Sequence, residues 1–250
     1  MEWRDEGLVI GVKRHGESAA IAEVMTRAHG RHLGLVRGGR GARLQAWLQP
    51  GNSLGLVWRA RLEEHLGAFV VEPVTLRAGR LIASGLALAG LSYLGALLRL
   101  LPERDPHERL FEALEIVADH LDAETVAPAL VARFEMAALA ELGFRLDLER
   151  CASTGSREDL VYVSPKSGRA VSAAAGAPWR DRLLALPAFL RAPSPEDPPT
   201  PRDLADAFRL TGFFLARDIF APRGLPLPDA RSAFIGAATR NGPGGGEAGP

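Results

Sequence analysis

The hydrophobic periodicity of this chain changes once, near Pro73, and that change demands two kinds of architecture in series. Before it, apolar residues recur at every second position in short runs. "GLVIGVK" sets Leu8, Ile10 and Val12 on one face of a strand, and "SLGLVW" does the same with Leu54, Leu56 and Trp58. Further apolar runs occupy 21–25, 33–36 and 66–71. Turn signals separate them at His15-Gly16, His29-Gly30, Gly38-Gly39-Arg40-Gly41 and Pro50-Gly51-Asn52. Five or six short strands at this spacing predict a small closed barrel, because closure removes the edges that would recruit other chains.

After Pro73 the stripes are helical. Leu110, Leu114, Val117 and Leu121 share one face, and Val131, Phe134, Ala138 and Leu142 share another, with Gly143 as the stop signal. Leu204, Phe208, Leu215 and Ile219 mark a third helix. Each stripe is an apolar face that must be buried. The segment Leu81 to Leu101 is apolar enough to invite comparison with a membrane span. Its Ser84, Ser92, Arg99 and small residues (Gly85, Ala87, Gly90, Gly95, Ala96), with no basic flank, predict a buried helix instead.

Between the helices, Cys151 to Pro178 is of a different kind: "DLVYVSPKSGRAVS" reads as strand, turn, strand, with Leu160 and Tyr162 on one face. "APSPEDPPTP" (192–201) is a loop or linker, and the tail "NGPGGGEAGP" is too polar and glycine-rich to order. The expected fold is α+β. An N-terminal OB-fold-like β-barrel covers 1–78. An all-α domain covers 79–240, interrupted by a hairpin insert at 151–178, and a disordered tail covers 241–250.

Hydrophobic residues make up 47% of the 250, enough for a real core. The net charge of zero hides an asymmetry: residues 1–80 carry 12 Lys/Arg against 8 Asp/Glu, and the rest carry 18 against 22. One cysteine, Cys151, permits no internal disulfide and fits a reducing cytoplasm. "MEWRDEGLVIG" has no secretory pattern, so a cytoplasmic location is expected.

The chemistry is concentrated in one span. From Val24 to Leu62, 39 residues, there is no Asp or Glu, but there are seven arginines: Arg27, Arg31, Arg37, Arg40, Arg43, Arg59 and Arg61. At its centre lies "VRGGRGAR" (36–43). It is not a Walker A loop, since Arg40-Gly41 stands where Lys-Ser/Thr is needed. Nor is it a dinucleotide fingerprint, since Leu44 replaces the third glycine. Guanidinium groups pair bidentately with phosphate oxygens, and arginines without nearby counter-charge predict a positive surface for nucleic acid. Lys13 and Arg14 join the seven as candidate DNA-binding residues. The structural alternative is a solvated arginine-rich surface in a chain that uses Arg in place of Lys; only Lys13 and Lys166 are lysines.

Trp47 and Trp58 are read as core rather than base-stacking residues. His29 and His32 have no cysteine or carboxylate within the span to complete a metal site, and a surface role is expected. Glu63-Glu64 and Asp119-His120 are read as solvated charges. No Ser-His-Asp or Cys-His signature is present, so no catalytic residue is assigned and no enzyme is expected.

In order along the chain, "GLVIGVKRHGESAAIAEVMTRAHGRHLGLVRGGRGAR", "ARFEMAALAELGFRLDLERCASTG", "SGRAVS" and "LPLPDARSAFI" resemble the RecO family of bacterial DNA repair and recombination mediators. The likeness covers most of 5–236. It implies an oligonucleotide-binding barrel, a helical domain and often a zinc-binding insert. It also implies binding of single- and double-stranded DNA, annealing of complementary strands, and recombinase loading onto DNA coated with single-strand-binding protein. The implied partners are RecR and the coating protein's C-terminal tail, with no membrane and a nucleoid-associated location. Zinc-binding members carry two Cys-x-x-Cys pairs. Here Cys151-Ala152-Ser153-Thr154 keeps the first sulfur, and the second pair would fall near Ser172 to Ala175, where there is no thiol. No metal or other cofactor is therefore expected, with Leu160, Tyr162 and Val171 packing in its place. The rival reading is a helical protein-interaction adaptor whose barrel binds protein; a nucleic-acid enzyme would need an acidic metal site that the basic span lacks.

Overall fold

The computed structural model of the chain describes residues 1–192 and 198–240. The tail from 241 and the centre of the proline-rich segment lie outside the described residues. The chain divides into two compact units, Met1–Asp122 and Ala123–Pro250.

The first unit is built on β1 (Glu2–His15), β2 (Ala19–Thr26), β3 (Gly30–Val36), β4 (Ser53–Arg59) and β5 (Ala68–Thr75), with α1 (Ala42–Trp47) between β3 and β4. Antiparallel pairings join β1 to β2 and β4, β2 to β3, and β4 to β5. A short parallel contact, Leu35 with Ala68 and Val36 with Phe69, completes the barrel order β1-β2-β3-β5-β4. Leu54, Leu56 and Trp58 point inward together, as the alternation of β4 predicts. In β1 the alternation fails. A β-bulge lies between Val9 and Gly11, and an extra residue reverses the side-chain parity of all that follows. Ahead of the bulge it is Val9 that joins the interior cluster, in the parity of Gly7 opposite Leu54, while Leu8 and Ile10 are buried outside that cluster and Val12, past the bulge, is 43% exposed.

Three helices complete this unit: α2 (Ala78–Leu81), α3 (Gly85–Leu98) and α4 (Glu108–His120). Ser84 caps α3 by accepting the Ala87 N–H at 3.2 Å. Helix α3 buries Leu86, Tyr93, Leu94, Leu97 and Leu98 and packs on β1, where Arg99 donates to the Ile10 carbonyl. Among the described residues no helix is long and apolar enough to cross a membrane. The stripe Leu110, Leu114, Val117 and Leu121 is fully buried, as its spacing requires.

In the second unit α5 (Ala127–Glu141) buries Val131, Phe134 and Ala138, leaves Leu142 half-buried, and stops at Gly143, whose φ of +90° suits glycine. The insert forms β6 (Leu160–Val163) and β7 (Ala170–Ser172) as predicted, followed by α6 (Ala173–Gly176) and a 3₁₀ turn at Ala177–Arg182. A strand that the periodicity did not reveal, β8 (Leu184–Ala185), pairs with β6 on its other side. A register shift between Leu160 and Tyr162 breaks their expected common face: Leu160 is buried and Tyr162 half-buried. Helix α7 (Pro201–Phe214) starts in a capping box of Thr200 and Asp203 and continues as a π-turn, Leu215–Phe220. Helix α8 (Asp229–Arg240) follows. Fully buried Glu135 on α5 receives Arg231 Nε of α8 at 2.7 Å and the Thr211 hydroxyl of α7. Removing either charge would strand the other away from water, at a cost of about 3–5 kcal/mol.

Candidate nucleic-acid interface

The loop "VRGGRGAR" connects β3 to α1 and folds back onto the β1–β2 turn. Gly38 adopts φ +67°, which serves the turn, and a side chain on Gly39 would begin 2.9 Å from the Ala20 Cβ, so Gly39 serves the close approach of loop to strand. Arg40 staples the contact. Its backbone N–H donates to the Ser18 carbonyl at 3.0 Å, and its guanidinium donates to the carbonyls of Glu17 (2.5 Å) and Gly16 (3.1 Å). These acceptors are neutral, so the charge of Arg40 stays uncompensated. Register places Arg14 beside Ala20, and Ala20 beside Val36, the residue before Arg37. Lys13, Arg14, Arg37, Arg40 and Arg43 thus gather at one end of the barrel, all exposed. Arg43 lies over the Trp47 ring at 5.1 Å, which fixes its stem without neutralising it. The side chains of Lys13, Arg14 and Arg37 make no hydrogen bond or ion pair among the described residues. Glu17 is the one acidic residue between Gly7 and Ala22.

The other candidates lie elsewhere, and the expectation that the acid-free span lacks counter-charge is corrected. Carboxylates distant in sequence supply it. Arg27 pairs with Glu112 at 3.1 Å and Glu108 at 3.8 Å, and stacks over Phe111 of the same helix. Arg31 pairs with Glu23 at 3.0 Å and Glu103 at 3.4 Å, mostly shielded from solvent. Arg59 sits at the opposite end of β1 and β4 and forms a bidentate pair with Glu2, whose carboxyl is held below its ordinary range by that hydrogen bond. Arg61 is exposed near the same end, beside the solvated Glu63-Glu64.

Helix α4 carries Glu108, Glu112, Glu115 and Asp119 at helical spacing, and Asp122 follows just past its end. Asp119, expected to be merely solvated, accepts from the buried Arg77, and this hydrogen bond lowers its pKa. Arg77 also donates to Ser53 Oγ at 2.6 Å, and Arg80 pairs with Asp122. The helical spacing was the available signal for this acidic stripe; nothing local said which arginines it would meet.

The surface role expected of the histidines is corrected for His32, while His29 stays half-exposed. His32 is buried among Trp3, Trp58 and Phe69. Burial holds its pKa below the ordinary value, against the opposing hydrogen bond to the Leu33 carbonyl. His29 stacks on Trp3 at 4.0 Å and meets Asp5 at 2.9 Å. Trp58 is core, as expected, and donates to the Leu66 carbonyl.

The insert does not fit a zinc ribbon. Cys151 is buried, and its Sγ accepts the Ser172 N–H at 3.3 Å and the Ser172 hydroxyl at 3.5 Å. Burial pushes the thiol up, but hydrogen bonds from Ser172 and Thr154, side chain and backbone, outweigh it and lower it to about 6. Thr154 and Ser172 stand where ribbon ligands would stand, and hydroxyls in place of thiolates make a poor zinc set. Among the described residues no group of three or more His, Cys, Asp or Glu could hold a metal.

Family models match both parts of the chain: "Recombination protein O N terminal" over residues 1–77 and "Recombination protein O C terminal" over 83–225. Curated relatives named DNA repair protein RecO cover nearly all of it. The protein from Methylocella silvestris is 61% identical over 235 residues, 94% of this chain and 95% of its own length. That from Chelativorans sp. is 61% identical over 245 residues, 98% of each chain. That from Methylobacterium nodulans is 58% identical over 242 residues, 96% of this chain and 98% of its own. With both models and these identities on barrel and helices alike, the chain belongs to the RecO family of DNA repair and recombination proteins.

Proposed function

We propose that this chain is a non-enzymatic, DNA-binding recombination mediator. It anneals complementary strands and assists recombinase loading onto DNA coated with single-strand-binding protein, with RecR and the coating protein's C-terminal tail as partners. One observation carries the DNA-binding part: Lys13, Arg14, Arg37, Arg40 and Arg43 gather at one barrel end, and among the described residues no carboxylate is paired to them. Phosphates of single- or double-stranded DNA fit that end, because binding there releases condensed counterions without burying an existing ion pair. Strands held by neutralised phosphates repel one another less, so complementary bases can meet. Phosphate contacts carry little sequence information, so preference among sequences is weak. Arg27, Arg31, Arg59 and Arg61, proposed from the sequence on the same grounds, take a secondary part, the first three because each must first leave a carboxylate.

The test is DNA affinity as a function of salt. A steep log–log dependence that flattens when Arg37, Arg40 and Arg43 are changed to Ala together supports the interface. A flat dependence in the native chain favours the adaptor reading, in which the barrel binds protein.

A further inference from the structure

The second unit carries an exposed tryptophan that its own core does not use. Trp179 is 57% exposed, in a 3₁₀ turn (Ala177–Arg182) with no buried residue. Tryptophan is enriched at interfaces, and an exposed indole offers a flat face on which a base can stack. The cations around it are just as open. Arg182 lies over the ring at 5.7 Å. The Arg180 side chain is 73% exposed and touches only the loosely placed Asp181 carboxylate, at 3.6 Å.

The sheet register adds a third cation. Strand β8 runs antiparallel to β6 with Leu184 beside Val163. The residues just before Leu184 and the turn just after Val163 therefore leave the sheet at the same end, and that turn carries exposed Lys166. Neighbouring arginines are already engaged: Arg169 with Asp147, and Arg217 with Asp218 and the Pro165 carbonyl. Arg180 and Arg182 flank the ring in sequence, exposed Lys166 lies in the turn at the same end of the sheet, and Asp181 is the one acid in 160–182.

From this we infer that Trp179, with Lys166, Arg180 and Arg182, is a second contact for single-stranded nucleic acid, on the helical unit and separate from the basic barrel end. An unpaired base offers a π-face to the indole while its flanking phosphates meet the cations. A duplex hides its base faces and can use the cations alone. The inference goes beyond the barrel reading and does not require it.

The test uses the full chain with a short oligothymidylate and, separately, a duplex. Trp179→Ala is expected to weaken oligothymidylate binding about five- to tenfold, from the loss of one stacked base, and duplex binding less than about twofold. Trp179→Phe should retain most of the affinity while losing the tryptophan fluorescence that oligothymidylate quenches. Thermal unfolding of both variants should match the native chain, since the ring is 57% exposed and its turn holds no buried residue. Unchanged oligothymidylate affinity in Trp179→Ala overturns the inference, including the case in which the ring serves a protein partner. Equal loss on oligothymidylate and duplex overturns it as well. In a chain with Arg37, Arg40 and Arg43 changed to Ala, residual binding that still depends on Trp179 keeps this contact even if the barrel interface fails. A barrel effect with no Trp179 effect sinks this contact alone.

Discussion

The two ends of the barrel are built from the same kind of residue and have opposite electrostatic character. At one end Lys13, Arg14, Arg37, Arg40 and Arg43 meet neutral carbonyls, an indole ring or solvent. At the other, Arg59 is locked to Glu2, and along the wall Arg27 and Arg31 are claimed by Glu108, Glu112, Glu103 and Glu23. Arginine content alone therefore does not make a polyanion site. What matters is whether a carboxylate has already arrived. A paired guanidinium gives a phosphate little net gain, because one ion pair replaces another; a free one releases counterions in full.

The largest effect should come from the free end. Changing Arg37, Arg40 and Arg43 to Ala together is expected to lower DNA affinity about 10- to 100-fold at low salt and to reduce the log–log salt slope by about 2–3, read by fluorescence anisotropy across a salt series. If neither changes, the two ends are equivalent and the interface lies elsewhere. Lys13→Ala with Arg14→Ala should lower affinity about three- to tenfold with a slope change of about 1–2 in the same titration. The paired arginines should matter less: Arg27→Ala or Arg59→Ala alone should shift affinity less than about twofold. Conversely, Glu108→Gln with Glu112→Gln frees Arg27 and should raise affinity about two- to threefold; no gain would show that Arg27 faces no strand.

The smallest expected effect concerns pH and the barrel itself. Burial among Trp3, Trp58 and Phe69 lowers the pKa of His32. The folded chain therefore binds this proton less readily than the unfolded chain. Stability from His32 is complete above the unfolded pKa, about 6.5, and is lost as pH falls toward the depressed folded value. Thermal melts between pH 7.5 and 5 should show a falling midpoint that His32→Phe makes shallower. An identical pH dependence in the variant would mean that other groups carry it.

Much of this molecule could be read in advance. The strand runs, the buried stripe of α4 and the stop at Gly143 follow from contacts within one or two turns of chain, and hydrophobic period reports those directly. The resemblance to the RecO family was also legible in the order of several weak motifs. The bulge in β1 was not, because an added residue leaves composition untouched while reversing parity. Strand β8 was missed because two residues are too few to show a period.

The division between free and paired arginines belonged to tertiary structure altogether. The sequence determined that 39 consecutive residues hold seven arginines and no acid, and that five carboxylates recur at helical spacing over 108–122. Only folding decided that Glu112 would reach Arg27 across 85 positions while Arg37, Arg40 and Arg43 would find no such partner among the described residues. Hydrophobic patterning acts between near neighbours along the chain, whereas charge pairing acts through space and is fixed only when the helix docks on the barrel.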